Sequence, residues 1–395
     1  MPRSVLSLAI STFAIGTTEF VIVGIIPSIA GDLKVSLPTA GLLVSLYALS
    51  ITIGAPVFTA LTGRVDRRKL VICLMAIFLL GNLVAGFAPG FGTLLGARVV
   101  TAFAHAVFFS VGAAVASSLV PRQKANGAVA VMFGGLTVAM VLGVPLGSWI
   151  GETFDWRLPF LVVTALAAVS VISLLALLPK QIPHTPPSSL LSQLRLLRNG
   201  RLLTMYLITA LGFGANFVVF TYISPLLTSV TGFSDGMVNV GLVVFGIATV
   251  AGNFWGGKLA DRLGTKQAAI VVLLGLAATL AFLPATAHSA VAVLINLAVW
   301  GFFGFAINPV VQTGVVTVAE DEVPESVGAA SGFNIAAFNL GISGGSLIGG
   351  RVLSGSGVLS TPWAAVALAL ASAAVAGLAL KACAARPAPM EELAR

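Results

Sequence analysis

Charge is the scarcest property of this chain of 395 residues, of which only 9% are Asp, Glu, Lys or Arg. A soluble domain carries about 25%, so there is too little charge here to cover a surface in water. Cysteine occurs only at Cys73 and Cys383, both inside apolar runs, which excludes a disulfide framework and a thiolate metal site. The histidines, His105, His184 and His288, are too scattered for a metal cluster, and no metal or other cofactor is expected. No phosphate-binding P-loop or nucleotide fingerprint occurs, so ATP is not the energy source within this chain. GISGG at 341–345 fits the pattern G-x-S-x-G, but no strand precedes it and no histidine follows it. It reads as helix packing, and the chain is not read as an enzyme.

What is abundant is apolar length. Hydrophobic residues make up 58% of the chain, in recurring runs of about 20 residues, the length that crosses a hydrocarbon core as a helix. Spans are read at 4–30, 39–61, 70–88, 93–120, 123–149, 157–179, 202–229, 237–257, 267–286, 290–318, 328–350 and 362–383. The first is too long for a signal-peptide core and has no evident cleavage site, so it is expected to be retained.

The net charge of +8 is distributed by loop. One side holds Arg3, Arg64, Arg67, Arg68, Lys69, Arg122, Lys124, Lys180, Arg195, Arg198, Arg201, Lys258, Arg262, Lys266, Lys381, Arg386 and Arg395. The other side holds Lys34, Arg157 and Arg351, and Arg98 lies inside a span. Positive loops stay cytoplasmic, so both termini are expected inside. The basic residues are thereby read as topology signals, and no nucleic-acid partner is expected. Trp149, Trp156, Trp255 and Trp363 fall near span ends, as an interfacial belt requires. Trp300 does not; it lies about 15 Å deep in span ten at roughly 1.5 Å per residue.

The two halves of the chain match at one fixed offset of 198 residues: Pro27 with Pro225, Gly54 with Gly252, Arg64 with Arg262, and Gly143, Gly147 and Gly151 with Gly341, Gly345 and Gly349. The expected fold is an all-α membrane protein of twelve transmembrane helices in two pseudo-symmetric six-helix halves. The N-terminal bundle covers 1–180, a cytoplasmic linker 181–200, the C-terminal bundle 201–385 and a cytoplasmic tail 386–395. Two parallel six-span repeats with a site between them near the midplane form a transporter architecture.

Several stretches carry a family resemblance. GGKLADRLGTK at 256–266 resembles the loop signature G-x-L-A-D-R-x-G-x-K of the major facilitator superfamily, and ALTGRVDRRK at 60–69 is a degenerate first-half copy in which Gly63 replaces the signature aspartate. Arg98 in LLGARVVTAFAH resembles the span-four arginine of that superfamily, GVPLG at 143–147 the span-five motif of drug:proton antiporters, and WRLPF at 156–160 the start of span six. GTTEFVIVGIIP, RVVTAFAHAVFFSVGA and FNIAAFNLGISGG resemble the branch of bacterial efflux permeases containing sugar and arabinose efflux and chloramphenicol resistance proteins. The resemblance implies that spans one, four, seven and ten line a central cavity. It also implies that Arg64, Asp66, Asp261 and Arg262 belong to a cytoplasmic gate, with any first-half latch weakened by Gly63.

Glu19 is the one carboxylate deep inside a span. A bare carboxylate there costs several kcal/mol unless it is paired, hydrated or protonated. By helical rise Glu19 lies about 15 Å from the outer end of span one, with His105 about 18 Å and Arg98 about 8 Å into span four. Apolar surroundings favour a neutral carboxyl group and a nearby guanidinium favours the anion. The balance suits a proton carrier, so Glu19, Arg98 and His105 are the proton-coupling candidates. A static Glu19–Arg98 pair, and a packing role for His105, are the alternatives.

Asn216, Phe217, Asn296, Trp300, Asn308 and Gln312 are the candidates for the substrate-facing wall in the second half, where Phe217 takes the repeat position of Glu19 and Asn296 that of Arg98. Gly143, Pro145 and Gly147, with Gly341, Gly345 and Gly349, form small-residue stripes that permit close helix approach and are where two rocking halves would slide. The expected function is a proton-coupled secondary transporter of a bacterial inner membrane, an efflux antiporter for drug-like compounds or sugars, sufficient as a monomer. The alternatives are a proton symporter importing a sugar or metabolite, or an uncoupled facilitator or receptor.

Overall fold

A computed structural model describes residues 2–62, 64–121, 124–182 and 193–384, and among them there is no strand. In chain order the helices are α1 (Arg3–Asp32), α2 (Leu37–Leu61), α3 (Arg67–Gly86) and α4 (Phe91–Ser118). Next come α5 (Ala125–Val138 and Val144–Thr153, joined by π-helical Ala139–Gly143) and α6 (Leu158–Leu177). The second half repeats the plan as α7 (Gly200–Phe220, continued by Ile223–Ser229), α8 (Asp235–Leu263), α9 (Thr265–Thr286), α10 (Ala290–Glu322), α11 (Val327–Ser356) and α12 (Thr361–Ala384).

Among the described residues, 11 helices are long and apolar enough to cross a membrane. The remaining one, α11, has 30 residues but is diluted by Asn334, Asn339 and a run of glycines and serines. It lies between α7 of its own half and α2 of the other, so its small and polar residues face protein. The chain reverses at every connection. One end of the bundle gathers Arg3, Arg64, Arg67, Arg68 and Arg262 and is called the basic end here; the opposite one is the far end.

Local breaks follow the prolines. A proline removes one hydrogen bond and crowds the carbonyl four residues earlier. For Pro225 that carbonyl belongs to Thr221, where α7 is interrupted; for Pro145 it belongs to Val141, inside the π-helical turn of α5. In the signature loop, Gly264 has φ 76°, a left-handed conformation that glycine adopts without a side-chain clash. It ends α8 and lets α9 start at the next residue.

The glycine stripes pack inside each half, so they are not surfaces on which the halves slide. A β-carbon added at Gly143, Gly147 or Gly151 would come closer than 3.0 Å to the side chains of Thr17, Val21 or Ile25 on α1. At Gly341, Gly345 and Gly349 it would meet the backbone carbonyls of Ala210, Gly214 and Val218 on α7 just as closely. The spacing of four residues marks where a helix is closely approached; the approaching helix is the first of the same half. The halves meet instead through α2 and α11, and through α5 and α8. Thr52 Oγ1 donates to the Ala336 carbonyl at 3.2 Å, Ser346 Oγ to the Gly41 carbonyl at 3.3 Å, and Asn239 Nδ2 to Glu152 at 2.9 Å.

Half of the linker expected at 181–200, residues 183–192, lies outside the described residues, as do Gly63 and the tail at 386–395. Of its described part, a 3-10 turn over Arg195–Arg198 buries Leu196 while both arginines stay exposed.

Candidate functional site

Two spaces lie along the contact between the halves. The larger, about 600 Å³, is walled by α2, α3, α4 and α5 on one side and by α10 and α11 on the other. Its lining includes Arg67, Phe109, Ser110, Phe133, Gln312 and Phe333, and its rim reaches Glu325 and Ser326 in the loop before α11. These loops belong to the basic end. The smaller space, about 10 Å³, lies deeper and is lined by Glu19, Phe20 and Val23 of α1, Val44, Tyr47 and Ala48 of α2, Phe217 of α7 and Ile342 of α11. Its size is close to what one water needs.

Glu19 is 9% exposed and makes no hydrogen bond or ion pair within 4.0 Å among the described residues. The direct Glu19–Arg98 pair left open by the sequence is therefore not formed. Arg98, 1% exposed, is held otherwise. Its Nη1 donates to the Thr18 carbonyl at 2.8 Å, and its guanidinium carbon lies 3.8 Å from the centroid of the Tyr47 ring. Such a desolvated cation–π contact contributes about 2 kcal/mol. Nε and Nη2 of Arg98 have no partner. Together they form the guanidinium edge that receives a carboxylate through two parallel hydrogen bonds.

Tyr47 joins the group. Its hydroxyl is 3.0 Å from Nδ1 of His105, and the His105 ring lies 4.7 Å from that of Phe109. Phe109 also lines the large cavity. A contiguous series of contacts therefore runs from the cavity wall through Phe109, His105 and Tyr47 to Arg98 and the space at Glu19. Sequence reasoning missed Tyr47: it is one of three tyrosines in the chain, and a tyrosine in an apolar span reads as packing. The available signal was a phenol placed well inside span two.

The second-half candidates separate. Phe217 lines the space at Glu19 and packs against Phe20, with ring centroids 6.3 Å apart. Gln312 lines the large cavity and accepts from Asn334 Nδ2 at 2.8 Å, while Asn334 Oδ1 accepts from Thr209 at 2.7 Å. Trp300 and Asn216, both 0% exposed, are bonded to each other, with Nε1 donating to Oδ1 at 2.6 Å. Phe220 and Phe245 pack around Trp300, so the indole lies in the core of the second half and borders neither space. Asn296 donates to the Thr279 carbonyl at 3.0 Å, between α10 and α9. Asn308 is exposed and borders neither space.

At the basic end, Asp66 caps α3 by accepting from the Lys69 amide at 2.9 Å. Arg64, Asp261 and Arg262 are exposed, without a hydrogen bond or ion pair among the described residues. The gate candidates form no hydrogen bond or ion pair with one another, in keeping with a cavity that reaches that end.

A helical bundle in two repeats, with a cavity and a buried ionisable group between them, is a membrane-transporter architecture. The Major Facilitator Superfamily profile matches residues 8–346, and the chain belongs to that superfamily. It is 46% identical over 360 residues to the uncharacterized MFS-type transporter YtbD of Bacillus subtilis (strain 168), covering 91% of each chain. It is 42% identical over 378 residues to the inner membrane transport protein YdhP of Escherichia coli (strain K12), covering 95% of this chain and 93% of YdhP. Among solved structures, it superimposes with a TM-score of 0.77 on a bacterial homolog of the human lysosomal transporter Spinster in an inward-facing, unoccupied conformation. That match has 15% identity and covers 98% of each chain; it bears on the fold. The protein is thus a multi-pass membrane transporter of small molecules.

Proposed function

We propose that this transporter is proton-coupled, works by alternating access in a bacterial inner membrane and exports its substrate in exchange for protons. The observation that carries the reading is Glu19, a carboxyl group inside the bundle, facing a water-sized space between the halves with no ion pair within 4.0 Å. Intramembrane ionisable groups are rare because they are costly, and are retained for function. The unpartnered edge of Arg98 gives the deprotonated carboxylate somewhere to go. In this scheme the protonated side chain rests in the apolar space and the anion swings onto Arg98. The His105–Tyr47 contact reports the occupancy of the cavity wall at Phe109 to that switch.

The basic loops support a cytoplasmic position for both termini, and with them for the mouth of the large cavity. Substrate enters there, the halves rock, and release follows on the other side. The export direction rests on the likeness of GVPLG to the drug:proton antiporters. Each chain holds both halves, so a monomer suffices.

The test is proton movement in proteoliposomes containing a pH dye, with sugars, chloramphenicol-like compounds and charged drugs added in turn. Substrate and protons moving in opposite directions support the proposal; movement in the same direction makes the protein a symporter. Glu19→Gln is expected to abolish the coupled proton flux. An undiminished flux in that variant would remove Glu19 from the mechanism.

A further inference from the structure

Arg67 is the cavity residue that the coupling scheme does not use. It opens α3, lines the large space and is 7% exposed, and neither Nε nor Nη1 has a hydrogen-bond partner. A guanidinium does not shed its proton, so its burial cannot be relieved by neutralisation. A buried charge without a partner costs several kcal/mol until an acceptor reaches it. The adjacent carboxylate does not supply one, because Asp66 accepts from the Lys69 amide. The other charged side chain in the described wall, Glu325, is exposed at the rim and forms no ion pair with Arg67. The same cavity wall carries the aromatic rings of Phe109, Phe133 and Phe333 among neutral polar side chains such as Ser110, Ser117 and Gln193, and Gln312 adds a side-chain amide from the opposite half.

We infer that the large cavity selects amphipathic organic acids, with the carboxylate or phosphate group held by Arg67 and the apolar body lying against Phe109, Phe133 and Phe333. The ion pair between substrate and Arg67 satisfies the guanidinium only while the cavity is occupied, which favours loading before the mouth closes. This refines the substrate class of the proposed transporter and rests on the large cavity being its binding site. It does not require Glu19 to carry the proton.

The experiment is equilibrium binding to the purified full-length protein by titration calorimetry, without a proton gradient. The probes are 2-naphthoate, 2-naphthyl phosphate, 2-naphthamide and 2-naphthylmethylammonium, which share one apolar body. Wild type is expected to bind the two anions roughly ten- to hundredfold more tightly than the amide, the range set by charge-assisted hydrogen bonds. Arg67→Gln is expected to erase that preference, so that the anions bind no more tightly than the amide, with elution on size exclusion as the check on folding. Arg67→Lys retains a reduced preference, and it keeps the test decisive if the glutamine variant misfolds. Glu325→Gln is expected to preserve or strengthen anion binding. The inference is overturned if wild type binds no anion, binds amide or ammonium as well as the anions, or keeps its preference in Arg67→Gln. Loss of anion preference in Glu325→Gln would overturn it as well, by making Arg67 part of a contact between the halves. A failed proton-flux test leaves these outcomes unchanged, so the two proposals fail separately.

Discussion

Replacing Gly345 by alanine isolates a close approach of α11 to α7. A β-carbon at this position would come closer than 3.0 Å to the Gly214 carbonyl oxygen, with the carbonyl carbon and Cα of Gly214 at 3.0 Å. All three are main-chain atoms inside a helix, so no side-chain rotation makes room and the helices must part. Overpacking of this kind costs about 1–3 kcal/mol. At Gly344, one residue earlier, such a carbon would meet no atom within 4 Å, and alanine there gains about 1 kcal/mol of helix propensity. That gain is common to both variants, so Gly345→Ala is expected to be less stable than Gly344→Ala by the overpacking cost alone, about 1–3 kcal/mol. Heating followed by size-exclusion detection of the folded peak gives an apparent midpoint for each. At about 2–4 °C per kcal/mol for a unit the size of one half, the midpoints should separate by roughly 2–12 °C. Equal midpoints, or a more stable Gly345→Ala, would refute the reasoning about helix contact.

Tyr47→Phe removes the hydroxyl from His105 and should cost about 1 kcal/mol, whereas Tyr47→Leu also strips the ring from Arg98 and should cost about 2 kcal/mol more; equal midpoints would contradict the cation–π assignment. Trp300→Phe leaves the Asn216 side chain without its described bond and is expected to cost about 1–3 kcal/mol. Adding Asn216→Leu should recover at least part of that loss, because no orphaned amide remains, and recovery of none would count against the pairing. Asn239→Ala removes the bond to Glu152 that joins the halves at the far end. With both native cysteines replaced by serine and a cysteine introduced at Leu242, which is 3% exposed, an impermeant thiol reagent added from the far side should label the variant roughly fivefold faster. Unchanged labelling would show that this contact does not hold the far end shut.

Much of the fold was legible because the bilayer imposes length. Apolar runs mark the spans, and all but α11 also satisfy a composition criterion for crossing. The span at 328–350 was read from its apolar run as well, although its asparagines and glycines, which serve contacts with α7 and α2, weaken that signal. Glu19 and Arg98 stood out as charges inside apolar runs, and their shared neighbourhood followed from placing spans one and four together. How Arg98 is held was not legible. Its partners are a main-chain carbonyl on α1 and an aromatic face on α2, and neither carries a signature in sequence. Trp300 stood out for its depth, but depth does not say whether an indole faces a cavity or a core; its bond to Asn216 on α7 decides that. Glycine spacing likewise identified close approach without naming the approaching helix. Arg67 looked like one more topology charge until its burial in the cavity wall set it apart.

The role of Glu19 is tested most directly by separating exchange from proton drive. Proteoliposomes containing Glu19→Gln would be compared with wild type for substrate counterflow at equal pH and for transport driven by a pH gradient. The expected result is that counterflow persists while gradient-driven transport falls to the background of empty vesicles. Gradient-driven transport at the wild-type rate in Glu19→Gln would contradict the assignment of the carrier.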